Sequence, residues 1–244
     1  MNDLFLKYEN LFEAKSKEGE IFLYLLGLDA QSAMLLLQNI ALKTNSALEI
    51  YFQEEGIEIL IARGEDLDTF CNEVQYFFQS KIFLAKNLSK EIIELLKRTQ
   101  RKITTAESCT GGLLAYFLTK EGGASEVYEG GVISYANSIK EAWLEVSKEN
   151  LEKFGAVSEE VVREMLQGSL KLSGADYAIA TSGIAGPSGG SAQKPVGTIF
   201  IGAMDSLGNC IIERVFLKGE RNSIQKKTCI YGFLLFLKLF YNNY

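Results

Sequence analysis

Three clusters of small and polar residues have the composition of a reactive site. The first is Thr104-Thr105-Ala106-Glu107-Ser108-Cys109-Thr110-Gly111-Gly112, where a short apolar run meets a helix start. Ser108 is a candidate nucleophile, because free N–H groups at a helix N-terminus can hold an anion or a developing oxyanion. Gly111 and Gly112 let a ligand approach the backbone closely. An ordinary helix cap has the same composition, so the motif alone leaves both readings open. Cys109 is a rival nucleophile if that helix end lowers its pKa; a small buried thiol is the simpler reading.

The second cluster is Ser134-Tyr135-Ala136-Asn137-Ser138-Ile139-Lys140-Glu141. Ser138 and Glu141 have the spacing of a capping box, which puts Lys140 in the first turn of a helix. The positive end of the helix dipole disfavours a cation there. That field lowers the lysine's pKa, and burial lowers it further. A lysine partly neutral near pH 7 can act as a general base, although an exposed lysine on a helix face is commoner. Tyr135 ends the preceding strand, where its hydroxyl can point into the same crevice or simply pack.

The third cluster runs from Thr181-Ser182-Gly183-Ile184-Ala185-Gly186-Pro187 through Gly189-Gly190 to Lys194-Pro195-Val196-Gly197-Thr198. Loops this long are usually functional or disordered. Both prolines of the chain lie here, which points to a shaped loop. Its backbone N–H groups can hold a phosphate with Lys194 adding charge, although the loop matches neither the P-loop nor the dinucleotide fingerprint.

Composition narrows the chemistry. The 244 residues include 0 histidines, which excludes a Ser-His-Asp triad, a Cys-His pair and imidazole metal ligation. Acid–base work near neutral pH must then fall to Lys, Asp, Glu, Tyr or Cys. The 4 cysteines, Cys71, Cys109, Cys210 and Cys229, are spaced for neither a zinc site nor a disulfide framework. The net charge of -6 and the lack of a basic stripe argue against a nucleic-acid partner. No signal peptide is expected. The most apolar stretch, Ile230 to Tyr241, is interrupted by Lys238 and too short for a bilayer. The expectation is a reduced, cytoplasmic protein with no membrane partner.

The elements that must position these clusters alternate along the chain. A short helix is expected over about 1–20. A strand from Ile21 to Leu28 follows, then a helix capped by Asp29. Strands Leu48–Gln53 and Ile57–Ala62 form a hairpin. A helix over 65–79 and a strand over 81–84 complete a βαββαβ, ferredoxin-like α+β module in residues 1–86. After a bridging helix, 88–98, residues 87–244 alternate strand and helix, predicting a three-layer αβα domain of α/β class. Its helices are expected from about Thr110 to Thr119, from Ser138 to Val146, from Ser158 to Leu172 and from Arg221 to Tyr241. The strand pattern includes a closing hairpin, 198–204 and 210–217, which makes the sheet mixed.

Four stretches taken together carry a family likeness. They are Ala106-Glu107-Ser108-Cys109-Thr110-Gly111-Gly112, Gly131 through Lys140, Gly155-Ala156-Val157-Ser158, and the glycine-rich loop ending Lys194-Pro195-Val196-Gly197-Thr198. In this order they resemble the C-terminal domain of the CinA family, also found alone as nicotinamide mononucleotide deamidase. The likeness covers about 88–242. It implies hydrolysis of the carboxamide of nicotinamide mononucleotide to nicotinate mononucleotide and ammonia. Ser108 takes the place of the family's nucleophile, Lys140 of its base and Tyr135 of its assisting tyrosine. Substrate contacts are expected from Thr110, Gly111, Gly112, Asn137, Ser182, Gly183, Ala185, Gly186 and Lys194. The resemblance implies no metal, no cofactor, a small nucleotide as the partner, and a homodimer. Residues 1–86 look like the small middle domain of full-length family members, without their large nucleotide-hydrolysing domain. The alternative is a non-catalytic nucleotide-binding or competence- and damage-related regulatory protein; ammonia release separates the two.

Overall fold

Short apolar runs, broken by turn residues, set up the first sheet. The structure, a computed structural model, describes residues 17–54 and 56–242. The helix expected at the start falls largely outside those residues, and Glu18 and Gly19 form a turn. Two compact units part between Glu91 and Ile92, inside the helix Leu88–Arg98.

In the first unit, β1 (Glu20–Leu25), α1 (Ala30–Lys43), β2 (Ala47–Glu54), β3 (Ile57–Arg63), α2 (Leu67–Phe78) and β4 (Ile82–Ala85) follow one another. Asp29 accepts a hydrogen bond from the Ser32 N–H at 2.9 Å and starts α1. The sheet order is β2-β3-β1-β4 with every neighbouring pair antiparallel, the ferredoxin-like arrangement. Leu23, Leu25, Leu60 and Ala62 pack with Leu37, Ile40, Phe70 and Val74 of the two helices.

Helix α3 (Leu88–Arg98) leads into β5 (Ile103–Glu107), α4 (Leu113–Thr119), β6 (Tyr128–Ile133), α5 (Asn137–Leu144), α6 (Lys148–Phe154), α7 (Glu159–Ser173), β7 (Tyr177–Gly183), β8 (Thr198–Asp205), β9 (Cys210–Phe216) and α8 (Arg221–Asn242). Sheet order is β6-β5-β7-β8-β9. The first three strands are mutually parallel, and β8 and β9 are antiparallel to their neighbours. Side chains alternate across β7. Ala178 and Ala180 face Val162, Met165 and Leu166 of α7, while the Tyr177 ring meets Phe236 of α8 at 5.3 Å. Helices on both faces make the three layers. No helix of the described residues is long and apolar enough to cross a membrane.

Three local expectations change. The helix expected from Thr110 begins at Leu113, because residues 109–112 form a turn with Gly111 at φ 62° and Gly112 at φ 98°. The capping box is absent: α5 begins at Asn137 with Ala136 at its cap and no side-chain cap. A helix the sequence reading did not separate, α6, is capped by Ser147, which accepts from the Asn150 N–H at 3.2 Å.

Candidate active site

The register of the second sheet decides what meets at its edge. Glu107, the last residue of β5, pairs with Ile133 of β6 and Thr181 of β7. The residues that follow these three strands therefore emerge together. The chain leaves β5 for β6 on one side and later returns to β7 on the other, a switch point where open α/β sheets bind ligands. Because β8 runs back along β7, with Gly183 opposite Ile199, the loop 184–197 lies at the same end. Phe216 pairs with Thr198, so α8 starts there too.

Ser108 follows β5 directly, its N–H donating to the Thr181 carbonyl at 2.9 Å. Lys140, the fourth residue of α5, is 1% exposed. Its Nζ lies 3.1 Å from Ser108 Oγ, 2.7 Å from the Ser134 carbonyl and 3.2 Å from the Tyr135 carbonyl. All three partners are neutral oxygens. Burial without a counter-charge disfavours the ammonium and lowers the Lys140 pKa to about 8. The cause is burial, where the sequence had suggested first the field of a helix end. A neutral amine has two N–H donors and one lone pair. Two carbonyls can take the donors, which leaves the lone pair for the Ser108 hydroxyl.

The expected role of free amides at the start of α4 is corrected. Glu107, 1% exposed, takes the N–H groups of Gly112 at 2.9 Å, Leu114 at 3.0 Å and Ala115 at 2.8 Å. Among the described residues, this leaves Cys109 and Thr110 as the amides of the turn with no acceptor on another residue. Cys109 is no rival nucleophile, since burial pushes its thiol up to about 12.

The other expected residues divide. The Tyr135 side chain is exposed, and its hydroxyl accepts from Arg221 at 3.3 Å; its tie to Lys140 is through the backbone. The Thr110 hydroxyl bonds that of Thr181 at 2.8 Å, fixing the turn to β7. A Cβ on Gly112 would sit 2.8 Å from Ile133 Cδ1, whereas one on Gly111 meets nothing within 4 Å. Asn137 is exposed at the first position of α5. The Ser182 hydroxyl donates to the Ala156 carbonyl at 2.7 Å. Gly183 leaves no room for a side chain against Ile199. Ala185 is buried. The Gly186 carbonyl accepts from Arg221 at 3.0 Å. Lys194 donates to the Phe154 carbonyl at 2.7 Å, on the C-terminal end of α6.

Arg221 escaped the sequence reading, yet it joins the second and third clusters through Tyr135 and Gly186. The signal was a cation at a helix start, a position the helix dipole disfavours. Gln225, one turn on, donates to the Cys109 carbonyl at 2.7 Å. A surface depression lined by Gln167, Lys171, Asp205 and Ser206 lies at the opposite end of the sheet, near the β8–β9 turn, away from Ser108. Among the described residues, no cluster of His, Cys, Asp or Glu has the makings of a metal site.

Comparison with known proteins places this arrangement. Residues 85–240 match the family model described as the CinA C-terminal domain. A CinA-like protein of Petrotoga mobilis is 34% identical over 234 residues, 94% of this chain and 57% of its own length. A nicotinamide-nucleotide amidohydrolase of Enterobacter agglomerans is 42% identical over 156 residues, 64% of this chain and 95% of its own. The chain spans about half the length of the longer CinA-like relatives, 45% in the case of the one from Pseudothermotoga lettingae. Among solved structures, a competence/damage inducible protein of Agrobacterium tumefaciens superposes with TM-score 0.61 at 37% identity, over 62% of this chain and 93% of its own.

Proposed function

The chain belongs to the CinA C-terminal domain family, and from that membership we propose that it deamidates nicotinamide mononucleotide by serine–lysine acyl transfer. The observation that carries the proposal is the Lys140 amine, buried without a counter-charge, 3.1 Å from Ser108 Oγ. In this reading neutral Lys140 takes the Ser108 proton as Oγ attacks the carboxamide carbon. The amides of Cys109 and Thr110, which have no acceptor on another described residue, are the donors this reading assigns to the developing oxyanion. The C–N bond then breaks, and Lys140 returns the proton to the departing nitrogen, releasing ammonia. Water attacks the resulting ester, Lys140 takes its proton, and Ser108 leaves as the hydroxyl. The products are nicotinate mononucleotide and the restored enzyme.

Arg221 supplies the positive charge a phosphate-bearing substrate needs. It sits between Tyr135 and the glycine-rich loop, which supports that loop as the place of the substrate's phosphate. The name of the Enterobacter relative supports the choice of amide. The test is ammonia release from nicotinamide mononucleotide, free nicotinamide and related amides, with Ser108→Ala as control. Release from the mononucleotide that disappears in the control is expected. Folded protein that releases none sinks the proposal, and preference for another amide moves the substrate only.

A further inference from the structure

Proton exchange between Ser108 and Lys140 makes no use of Glu107, yet that carboxylate is carried into the interior beside the nucleophile. A buried carboxylate must collect hydrogen bonds to offset its lost hydration. Glu107 collects three main-chain N–H groups, those of Gly112, Leu114 and Ala115, at 2.8–3.0 Å. Its own carbonyl accepts the Ser134 N–H at 2.8 Å. The Ser134 carbonyl in turn accepts from Lys140 Nζ at 2.7 Å. One residue thus touches both arms of the site. Its side chain closes the turn that carries Ser108, and its backbone fixes the strand end that grips Lys140.

We infer that Glu107 is a positioning residue that sets the separation between Ser108 Oγ and Lys140 Nζ. The inference rests on those two residues being nucleophile and base. The turn needs such a tie. It passes through two consecutive left-handed glycines, Gly111 and Gly112, and glycine keeps more backbone freedom to lose than any other residue. Donor counting explains why the residue is an acid. Three N–H groups converge on it, and a glutamine would offer one acceptor oxygen and turn its own NH2 against a donor. The contacts are all to main-chain groups, so the carboxylate acts on the reaction through geometry.

The test compares wild type with Glu107→Gln and Glu107→Asp by two readouts. One is steady-state ammonia release from nicotinamide mononucleotide. The other is the rate at which a fluorophosphonate ester labels Ser108, which needs an activated serine but no nicotinamide substrate. For Glu107→Gln, kcat and the labelling rate are expected to fall about a hundredfold, as for a misplacement of order an ångström, with KM within twofold. Circular dichroism should match wild type. Glu107→Asp keeps the charge on a side chain one methylene shorter, loses rate by less, and decides the question if the glutamine variant does not fold. Rates per folded molecule within twofold of wild type would show Glu107 to be a helix cap and nothing more, overturning the inference. A rise in KM at constant kcat would overturn it equally. Wild-type protein that labels at Ser108 without releasing ammonia refutes the substrate and leaves the positioning role to be judged by labelling. Wild-type protein that does neither refutes the serine–lysine reading and the inference with it.

Discussion

The two units of the chain treat polar side chains in opposite ways. Among the described residues of the first, the buried ones are Leu, Ile, Ala, Phe, Val and Tyr, and the buried hydrophilic exceptions are Thr44 and Ser89. Thr44 is satisfied locally, donating to the Ile40 carbonyl at 2.9 Å. In the second, Glu107, Ser108, Thr110, Ser134, Lys140, Thr181 and Ser182 are all buried at one end of one sheet. Burying a polar group without full compensation costs about 1–3 kcal/mol. A region that concentrates such groups is holding them for their geometry. The contrast teaches where to expect trade-offs between stability and activity.

Four experiments break or sharpen that contrast. The largest effect is expected from Lys140→Met, a loss of turnover of at least about a thousandfold in ammonia release. The same change should stabilise the fold, because it removes a buried cation in favour of a hydrophobe. The sign follows from linkage. The folded pKa of about 8 lies below the ordinary 10.5, so between those values the unfolded chain binds more protons. Wild-type stability therefore rises as pH climbs from about 8 toward 10.5, and the advantage of Lys140→Met in thermal melts is greatest below pH 8. A destabilised Lys140→Met would erase the contrast.

Next comes Phe70→Ala in the first unit, where deleting a fully buried ring costs about 3–5 kcal/mol. Chemical denaturation should show the loss, with kcat per folded molecule unchanged; a fall in kcat would make the first unit part of the site. Arg221→Ala should raise KM for nicotinamide mononucleotide roughly ten- to a hundredfold, the worth of a hydrogen bond to a charged group, and leave free nicotinamide unaffected. The smallest effect is the pH profile of wild type. In the proposed mechanism the base works neutral, so kcat/KM should rise with pH and level off above about 8. An activity that falls across that range would contradict a lysine base.

Much of this molecule was legible in its sequence, because local rules govern the parts concerned. Asp29, Ser158 and Gly174 mark helix ends by groups that act within a few residues, and short apolar runs parted by turn residues marked the strands of the first unit. The absence of histidine pointed to lysine, and the motifs singled out Ser108 and Lys140 before any contact was visible. The misjudged places are those where the cap a motif suggests is not the one the chain uses. The stretch after Ser108 has the residues of a helix cap, but Glu107 ties it as a turn and delays the helix to Leu113. Ser138 and Glu141 have capping spacing, but α5 starts earlier, at Asn137, with Ala136 at its cap.

The sequence by itself determined the order of the strands and of most helices, the family, and which side chains were chemically able to react. Only the tertiary structure decided how they work. The parallel register of β5, β6 and β7 brought Ser108 to Lys140 across 32 residues. The antiparallel return of β8 and β9 placed Arg221 against Tyr135, 86 residues away, and packing buried Lys140 among neutral carbonyls. The reason is physical. Propensity and spacing act over a turn or two of chain, whereas desolvation and a hydrogen-bond distance depend on every element packed around the group.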